Sequence, residues 1–193
     1  MKTAIDAMFG RRRKKIVRGR NVYLFEPSKE CGPEFVEMTT SSKGFHNPWI
    51  YPATDLRRFK SYLNRIHKGQ TYGFFVAQYS DDSLVGVINI NDVVMGGFCS
   101  GSLGYFVDHQ YASQGYMTEA LTLVLEQAFT NLKLHRLEAN VRPGNEASLA
   151  LIKKLGFQKE GFSPAFLKID GEWRDHERWA ILARDWPTLC HKF

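Results

Sequence analysis

Apolar and polar residues change their period several times along the 193-residue chain, and each change marks an element. NVYLFEP (21–27) alternates apolar with polar residues and stops at Pro27, the pattern of a first strand. In DLRRFKSYLNRIHKG (55–69), Leu56, Phe59, Leu63 and Ile66 recur at helical spacing, with Asp55 as N-cap and Gly69 as the stop. YGFFVAQY (72–79) and LVGVINI (84–90) flank the turn residues Ser80 to Ser83 and predict a hairpin. GSLGYFVDHQ (101–110) is another strand. TEALTLVLEQAFTNL (118–132) is a long helix with Ala120, Leu121, Val124, Ala128 and Leu132 on one face. HRLEANV (135–141) alternates again, and FLKIDGEWRDHERWAILARDW (166–186) reads as two strands around Asp170-Gly171. The expectation is a mixed α/β (α+β) fold: a mostly antiparallel twisted sheet of about seven strands with about four helices.

Between these strands lies RPGNEASLALIKKLGFQKEGF (142–162), which holds both a helix start and a helix stop. Pro143 and Gly144 end the strand, Asn145 is an N-cap, and Ser148 follows three residues later. Ala147, Leu151 and Leu155 form one apolar stripe beside Ile152. Gly156 suits a left-handed C-cap, after which Phe157 packs back on Ile152.

Composition narrows the class. With 44% hydrophobic and 24% charged residues, the chain matches an ordinary globular protein, so one domain with a substantial core is expected. No apolar run approaches the roughly 18 residues of a membrane span. The start, MKTAIDAMFGRRRKK, has its basic cluster after a short apolar piece, the reverse of a secretory signal, and the chain reads as cytoplasmic. Cys31, Cys99 and Cys190 are scattered singly, and no His/Cys spacing suggests a metal. The net charge of +6 leans toward anionic partners. Arg11, Arg12, Arg13, Lys14, Lys15, Arg18 and Arg20 concentrate it in a basic arm, residues 1–20, ahead of a single domain at 21–193. Such an arm is a solvated tail or a phosphate contact to RNA; aromatic residues for base stacking are missing from it.

No GxxxxGK[ST] occurs, and no GxGxxG follows a strand. What does occur is a strand, a tight loop with Asn145, a helix with Ser148, then LGF and a further strand. Upstream lies GYFVDHQYASQGYMTEAL (104–121). Together and in this order, the two segments resemble the GNAT superfamily of N-acetyltransferases. HRLEANVRPGNEASLALIKKLGFQKEG and GYMTEAL are most similar to the RimJ-type ribosomal-protein-alanine N-acetyltransferases. The resemblance covers most of residues 21–183. It implies a GNAT-type sheet, acetyl-CoA as cosubstrate, no metal, and direct transfer of acetyl to an amine, here the N-terminal amino group of a (ribosomal) protein. The family's phosphate loop, [Q/R]xxGx[G/A], maps onto residues 112–117: Ala112 stands for Gln or Arg, Ser113 for a common glycine, and Met117 for a small residue, while Gly115 remains. Backbone amides bind the anion in such loops, so side-chain variation bears on affinity more than on fold.

By the same resemblance, Ala112, Ser113, Gln114, Gly115, Tyr116, Met117 and Thr118 hold the pyrophosphate, with Asn145 and Ser148 at the pantetheine. A backbone amide near Phe106 or Val107 serves the oxyanion. Ser148 is the proton donor to the leaving sulfur. Glu138 is the candidate base: in HRLEANV it shares one face with Arg136 and Asn140, which opens onto a cleft or pairs its charges, for instance Glu138 with Arg136. Trp49 and Tyr51, in FHNPWIYP (45–52), line the acceptor wall or the core. His135 and His176 are structural in this reading, and Cys99 is a small apolar residue. Two alternatives stay open: a polyamine or aminoglycoside acetyltransferase, against which the +6 charge argues, and a non-catalytic CoA-binding, ribosome-associated module.

Overall fold

Alternation along the strands sorts side chains onto two faces, and the fold follows from covering both. The computed structural model describes residues 13–69 and 71–189; Arg11, Arg12 and Cys190 lie outside them. Among these residues, eight strands form one sheet: β1 (Lys15–Arg18), β2 (Val22–Phe25), β3 (Thr71–Gln78), β4 (Leu84–Val94), β5 (Ser100–Val107), β6 (Arg136–Val141), β7 (Gln158–Ile169) and β8 (Glu172–Leu182). Their spatial order is β1-β2-β3-β4-β5-β6-β8-β7. Neighbours are antiparallel except β5 and β6, which run parallel. The helices are α1 (Gly32–Ser41), α2 (Lys43–His46), α3 (Leu56–His67), α4 (Tyr116–Glu126), α5 (Glu146–Lys154) and the short α6 (Trp186–Leu189).

In β2, Val22 and Leu24 join a core with Ile88, Ile90, Leu121, Ile152 and Trp179, under α4 and α5. Tyr23 and Phe25 point the other way, into an aromatic core with Phe35, Phe59, Tyr62 and Phe75, under α1 and α3. The central strands β2, β3 and most of β4 are thus buried on both faces, as their apolar runs require, while β7 is largely exposed. Asp55 caps α3 by accepting from the Arg58 amide, and Asn145 caps α5 by accepting from the Ser148 amide, as their positions predict. Gly156, at φ +90°, ends α5, and its neighbour Phe157 donates to the Ile152 carbonyl. Among the described residues no helix is long and apolar enough to cross a membrane.

Several boundaries differ from the pattern. β5 stops at Val107 because Asp108 turns the chain, its carboxylate accepting from the Gln110 amide. α4 begins two residues before the expected 118, and Gln127–Asn131 widens into a π turn. α1 and α2 carry no clear apolar period and were not anticipated.

The eighth strand is β1, inside the stretch read as a solvated arm. Its pairing with β2 adds the sheet edge. Arg13 explains why this basic segment stays down. Its side chain is 5% exposed, donates to Glu34 at 2.7 Å, and lies 4.5 Å over the Phe25 ring. Lys15 sits 4.2 Å over Tyr23, and Lys14 pairs with Glu26. Arg13→Met keeps the stem packing but removes the donors, so it should cost about 1–3 kcal/mol in urea unfolding. An unchanged midpoint would show that the edge is held by backbone pairing alone.

Candidate active site

β5 and β6 pair at only four positions, from Ser100–Arg136 to Leu103–Ala139. Beyond these, β5 continues to Val107 against β4, and β6 continues to Val141 against β8. The two strands part, and a cleft of about 1760 Å³ opens between them. This is larger than the roughly 300–1,000 Å³ of a pocket for one small ligand.

On the α4/α5 face the cleft reaches the loop before α4. Ser113 (φ +60°) and Gly115 (φ +84°) are both left-handed, so successive amides turn toward one point. Ser113 therefore takes the conformation expected of the glycine it stands for. No side chain caps α4, and a Cβ on Gly115 would meet nothing within 4 Å. The free amides of the first helical turn suit a pyrophosphate. The loop is braced from behind: Tyr116 donates to the Gln78 side-chain carbonyl, and the Gln78 amide donates to the Tyr111 hydroxyl.

On the same face Ser148 and Tyr105 meet, Oγ to Oη, at 2.5 Å. Burial pushes the Tyr105 hydroxyl up to about 12, with the Ser148 contact opposing only in part. Tyr105 therefore stays protonated, and either hydroxyl can donate in this contact; with Tyr105 as the donor, the Ser148 proton is left for the cleft.

The opposite face carries the charges. Glu138 accepts from Arg136 Nε at 3.0 Å on one oxygen and from Arg178 at 2.6 Å on the other. Arg136 also grips Glu160, which holds that carboxyl below the usual range. His176, on β8, lies two residues from Arg178 and on the same face. It donates Nδ1–H to the Arg174 carbonyl at 2.9 Å, so Nε2 is the unprotonated nitrogen. Burial first, then the nearby Arg142 and Arg178, press its pKa down.

Backbone direction at the gap follows from two contacts. The Asp108 amide donates to Val85 in β4, so the preceding carbonyl, of Val107, points away from β4. It accepts from His46 Nε2 at 2.8 Å. N–H and C=O of one strand residue point the same way, so the Val107 amide also faces the gap. The Phe106 carbonyl turns toward Gly86, and its amide is directed to β4 with it. Of the two oxyanion candidates, only Val107 has its amide in the cleft.

The acetyltransferase (GNAT) domain family matches residues 24–158. The chain belongs to the GNAT acetyltransferases. It is 40% identical over 129 residues to a probable N-acetyltransferase, YjcK, of Bacillus subtilis, spanning 67% of this chain and 71% of that protein. It is 37% identical over 125 residues to the [Ribosomal protein uS5]-alanine N-acetyltransferase of Escherichia coli, spanning 64% of each chain. The solved structure of Mycobacterium smegmatis RimJ in complex with CoA-disulfide superposes with a TM-score of 0.80 at 28% identity, covering 89% of this chain and 86% of that one. This GNAT enzyme is an N-acetyltransferase, and acetyl-CoA is its donor.

The cleft of the GNAT domain brings together Phe106, Val107, Ala112, Ser113, Gly115, Met117, Thr118, Glu138, Asn145 and Ser148, with Trp49 and Tyr51 on its wall. Gln114 and Tyr116 do not line it: Gln114 folds back on the Gln110 carbonyl, and Tyr116 braces the loop. Trp49 packs under the Arg142 guanidinium, 5.5 Å from ring to cation, so residues 46–49 bridge the two sides of the gap. Cys99 is half-exposed on the β4–β5 hairpin and donates to the Gly96 carbonyl, more polar surroundings than an apolar reading implies.

Tyr105 and His46 were missed from sequence, and His176 was read there as structural. The alternation of WRDHERW places His176 beside Arg178 and Arg174, a signal that was available; nothing local points to His46. His46 and His176 both have pKa values lowered chiefly by burial. A folded state that resists protonation loses stability wherever the unfolded histidines bind protons, so stability should fall as pH drops below about 6.5. The depressed carboxyls of Glu160 and Glu177 lose their contribution only at lower pH, below about 4.5. Urea midpoints between pH 7.5 and 5.5 should therefore decline, and His46→Gln, whose amide can still serve Val107, should flatten the slope. A flat wild-type profile would contradict it.

Proposed function

We propose that this acetyltransferase modifies the N-terminal α-amino group of a protein in the cytoplasm, a ribosomal protein being the class its relatives suggest. The observation that carries this is the separation of roles across the sheet: proton-accepting groups on the α1/α3 face, a proton-donating pair on the α4/α5 face, and the β5–β6 gap joining them. Acetyl-CoA supplies an activated acetyl thioester. The loop at 112–118 holds its pyrophosphate by backbone amides. The Val107 amide donates to the thioester oxygen as negative charge develops there. Ser148, oriented by Tyr105, donates a proton to the departing sulfur.

Glu138 fits the base role poorly, because both its oxygens are held by guanidinium groups and taking a proton means loosening one ion pair. His176 fits it better: neutral, with Nε2 free of protein partners, it takes the proton from the attacking amine directly or through water. Glu138 then orients Arg136 and Arg178.

Charge weighs against a polycationic acceptor. The charged side chains lining the cleft are Arg58, Arg65, Arg142, Asp92 and the doubly paired Glu138. A cleft for polyamines needs several free acids, and among these lining residues Asp92 is the one carboxylate without an ion pair, against three arginines. The Tyr105–Ser148 hydroxyl pair beside the loop weighs against a non-catalytic module, which needs the anion geometry but no proton donor. A phosphate contact by the arm belongs to the same proposal: Arg18 and Arg20 have no ion pair among the described residues, whereas Arg13, Lys14 and Lys15 are engaged in the fold.

Rate–pH profiles on an alanine-initiated peptide test the assignment. His176→Gln should lower the rate at neutral pH by roughly 10²–10⁴-fold, and the loss should shrink at high pH, where the amine deprotonates unaided. Glu138→Gln should lose less than about 10-fold. Ser148→Ala should keep its defect as pH rises, with Tyr105→Phe following in the same direction. If Glu138→Gln shows the large, pH-sensitive loss and His176→Gln does not, the base is Glu138.

A further inference from the structure

We infer that the acceptor is a polypeptide with carboxylates a few residues beyond its N-terminal amine, recognised by Arg58 and Arg65 on α3; this rests on the acceptor reading above. α3 covers the α1/α3 face, the same side of the sheet as His176 and Glu138. Its sequence, LRRFKSYLNRIH, contains no acid. Its only adjacent carboxylate, Asp55, serves as the N-cap through the Arg58 amide. Arg57, Arg58, Lys60, Arg65 and the following Lys68 make no ion pair among the described residues. Such an imbalance on one helix is not needed for folding, since like charges one turn apart repel.

The stripe Arg58, Ser61, Tyr62 and Arg65 lines the cleft, while Arg57, Lys60 and Lys68 do not. Tyr62 is fixed between the two arginines by donating to Asn89 at 2.7 Å, and Arg65 lies 6.0 Å over its ring. Asp170, across a small adjoining groove from Arg58, forms no ion pair with it. Seven residues of helix separate the guanidinium stems by about 10 Å. An extended chain covers that distance in about three residues. Carboxylates three residues apart share one side of a polyproline II chain, which has about three residues per turn and rises about 3.1 Å per residue, so an acceptor in that conformation matches the pair. The exposed arginines cost little to leave unpaired in water, which suits a site filled only when substrate arrives.

The test is acetyl transfer, followed by CoA thiol release, to alanine-initiated octapeptides that differ only beyond residue 2. One carries two Glu three residues apart, one Ser and one Lys at the same places, and the pair is moved along the peptide. Two exposed ion pairs, at about 0.2–1 kcal/mol each, predict that kcat/KM is roughly 2- to 30-fold higher for the best Glu peptide than for the Ser peptide at low ionic strength. The gap should close by 0.3 M salt. In the Arg58→Glu/Arg65→Glu double variant the Lys peptide should become preferred, with CoA binding at the other end of the cleft reporting an intact fold. Equal rates for all peptides overturn this inference and leave the acceptor reading standing. So does inhibition by poly(U) that vanishes in the double variant without any peptide charge effect, which would make α3 an RNA contact. If acetyl-CoA binds but no peptide amine is acetylated, the acceptor reading fails, and this inference with it.

Discussion

The parallel pairing of β5 with β6 ends after four residue pairs, and the rest of the site depends on that short register. Inside an antiparallel sheet, backbone groups have partners on both sides. Where these two strands part, the Val107 amide and carbonyl face the gap. One is engaged by His46, and the other is left for a ligand. A sheet normally separates its two faces completely. Here one gap connects the face covered by α4 and α5, proposed to hold acetyl-CoA, with the face under α1 and α3, proposed to receive the acceptor.

That division assigns chemistry by face. Tyr105 and Ser148 share a face because alternation in β5 directs Tyr105 toward α5, whose first turn carries Ser148. Glu138, Arg178 and His176 share the other because β6 and β8 pair directly, Asn140 opposite Arg178. In the mechanism proposed above, a proton leaves the amine on one side and another reaches sulfur on the other, so the two transfers need no common residue. Burial first, and then Arg142 and Arg178, lower the His176 pKa, and Arg178 is the one of these that also holds Glu138.

Basic residues divide in a similar way. Arg13 and Lys15, at the start of the β1 edge, are spent on structure: Arg13 is enclosed by Glu34 and Phe25, and Lys15 covers Tyr23. Those on α3 form no ion pair among the described residues, and two of them, Arg58 and Arg65, line the cleft. Net charge alone does not distinguish the two. The difference lies in which carboxylates and rings the fold brings within reach.

Much of the architecture was legible in the chain. Periods of two and of 3.6 residues, Asp55 and Asn145 as caps, and Gly156 as a stop are encoded within about ten residues, because local backbone hydrogen bonding and one-sided burial act at that range. The order of the loop before α4 and the Asn145–Ser148 turn was legible for the same reason. Glu138 was placed on the cleft face by alternation, but its partner Arg178 lies forty residues on, and only the register of β6 with β8 brings them together. Tyr105 reaching Ser148, His46 reaching Val107 and β1 closing the sheet edge are likewise long-range contacts. Spacing along the chain carries no term for them, since each is set by strand order and by the angle at which the helices pack. Local propensity determined the elements; which groups face the gap, and which charges remain free there, was decided by the sheet.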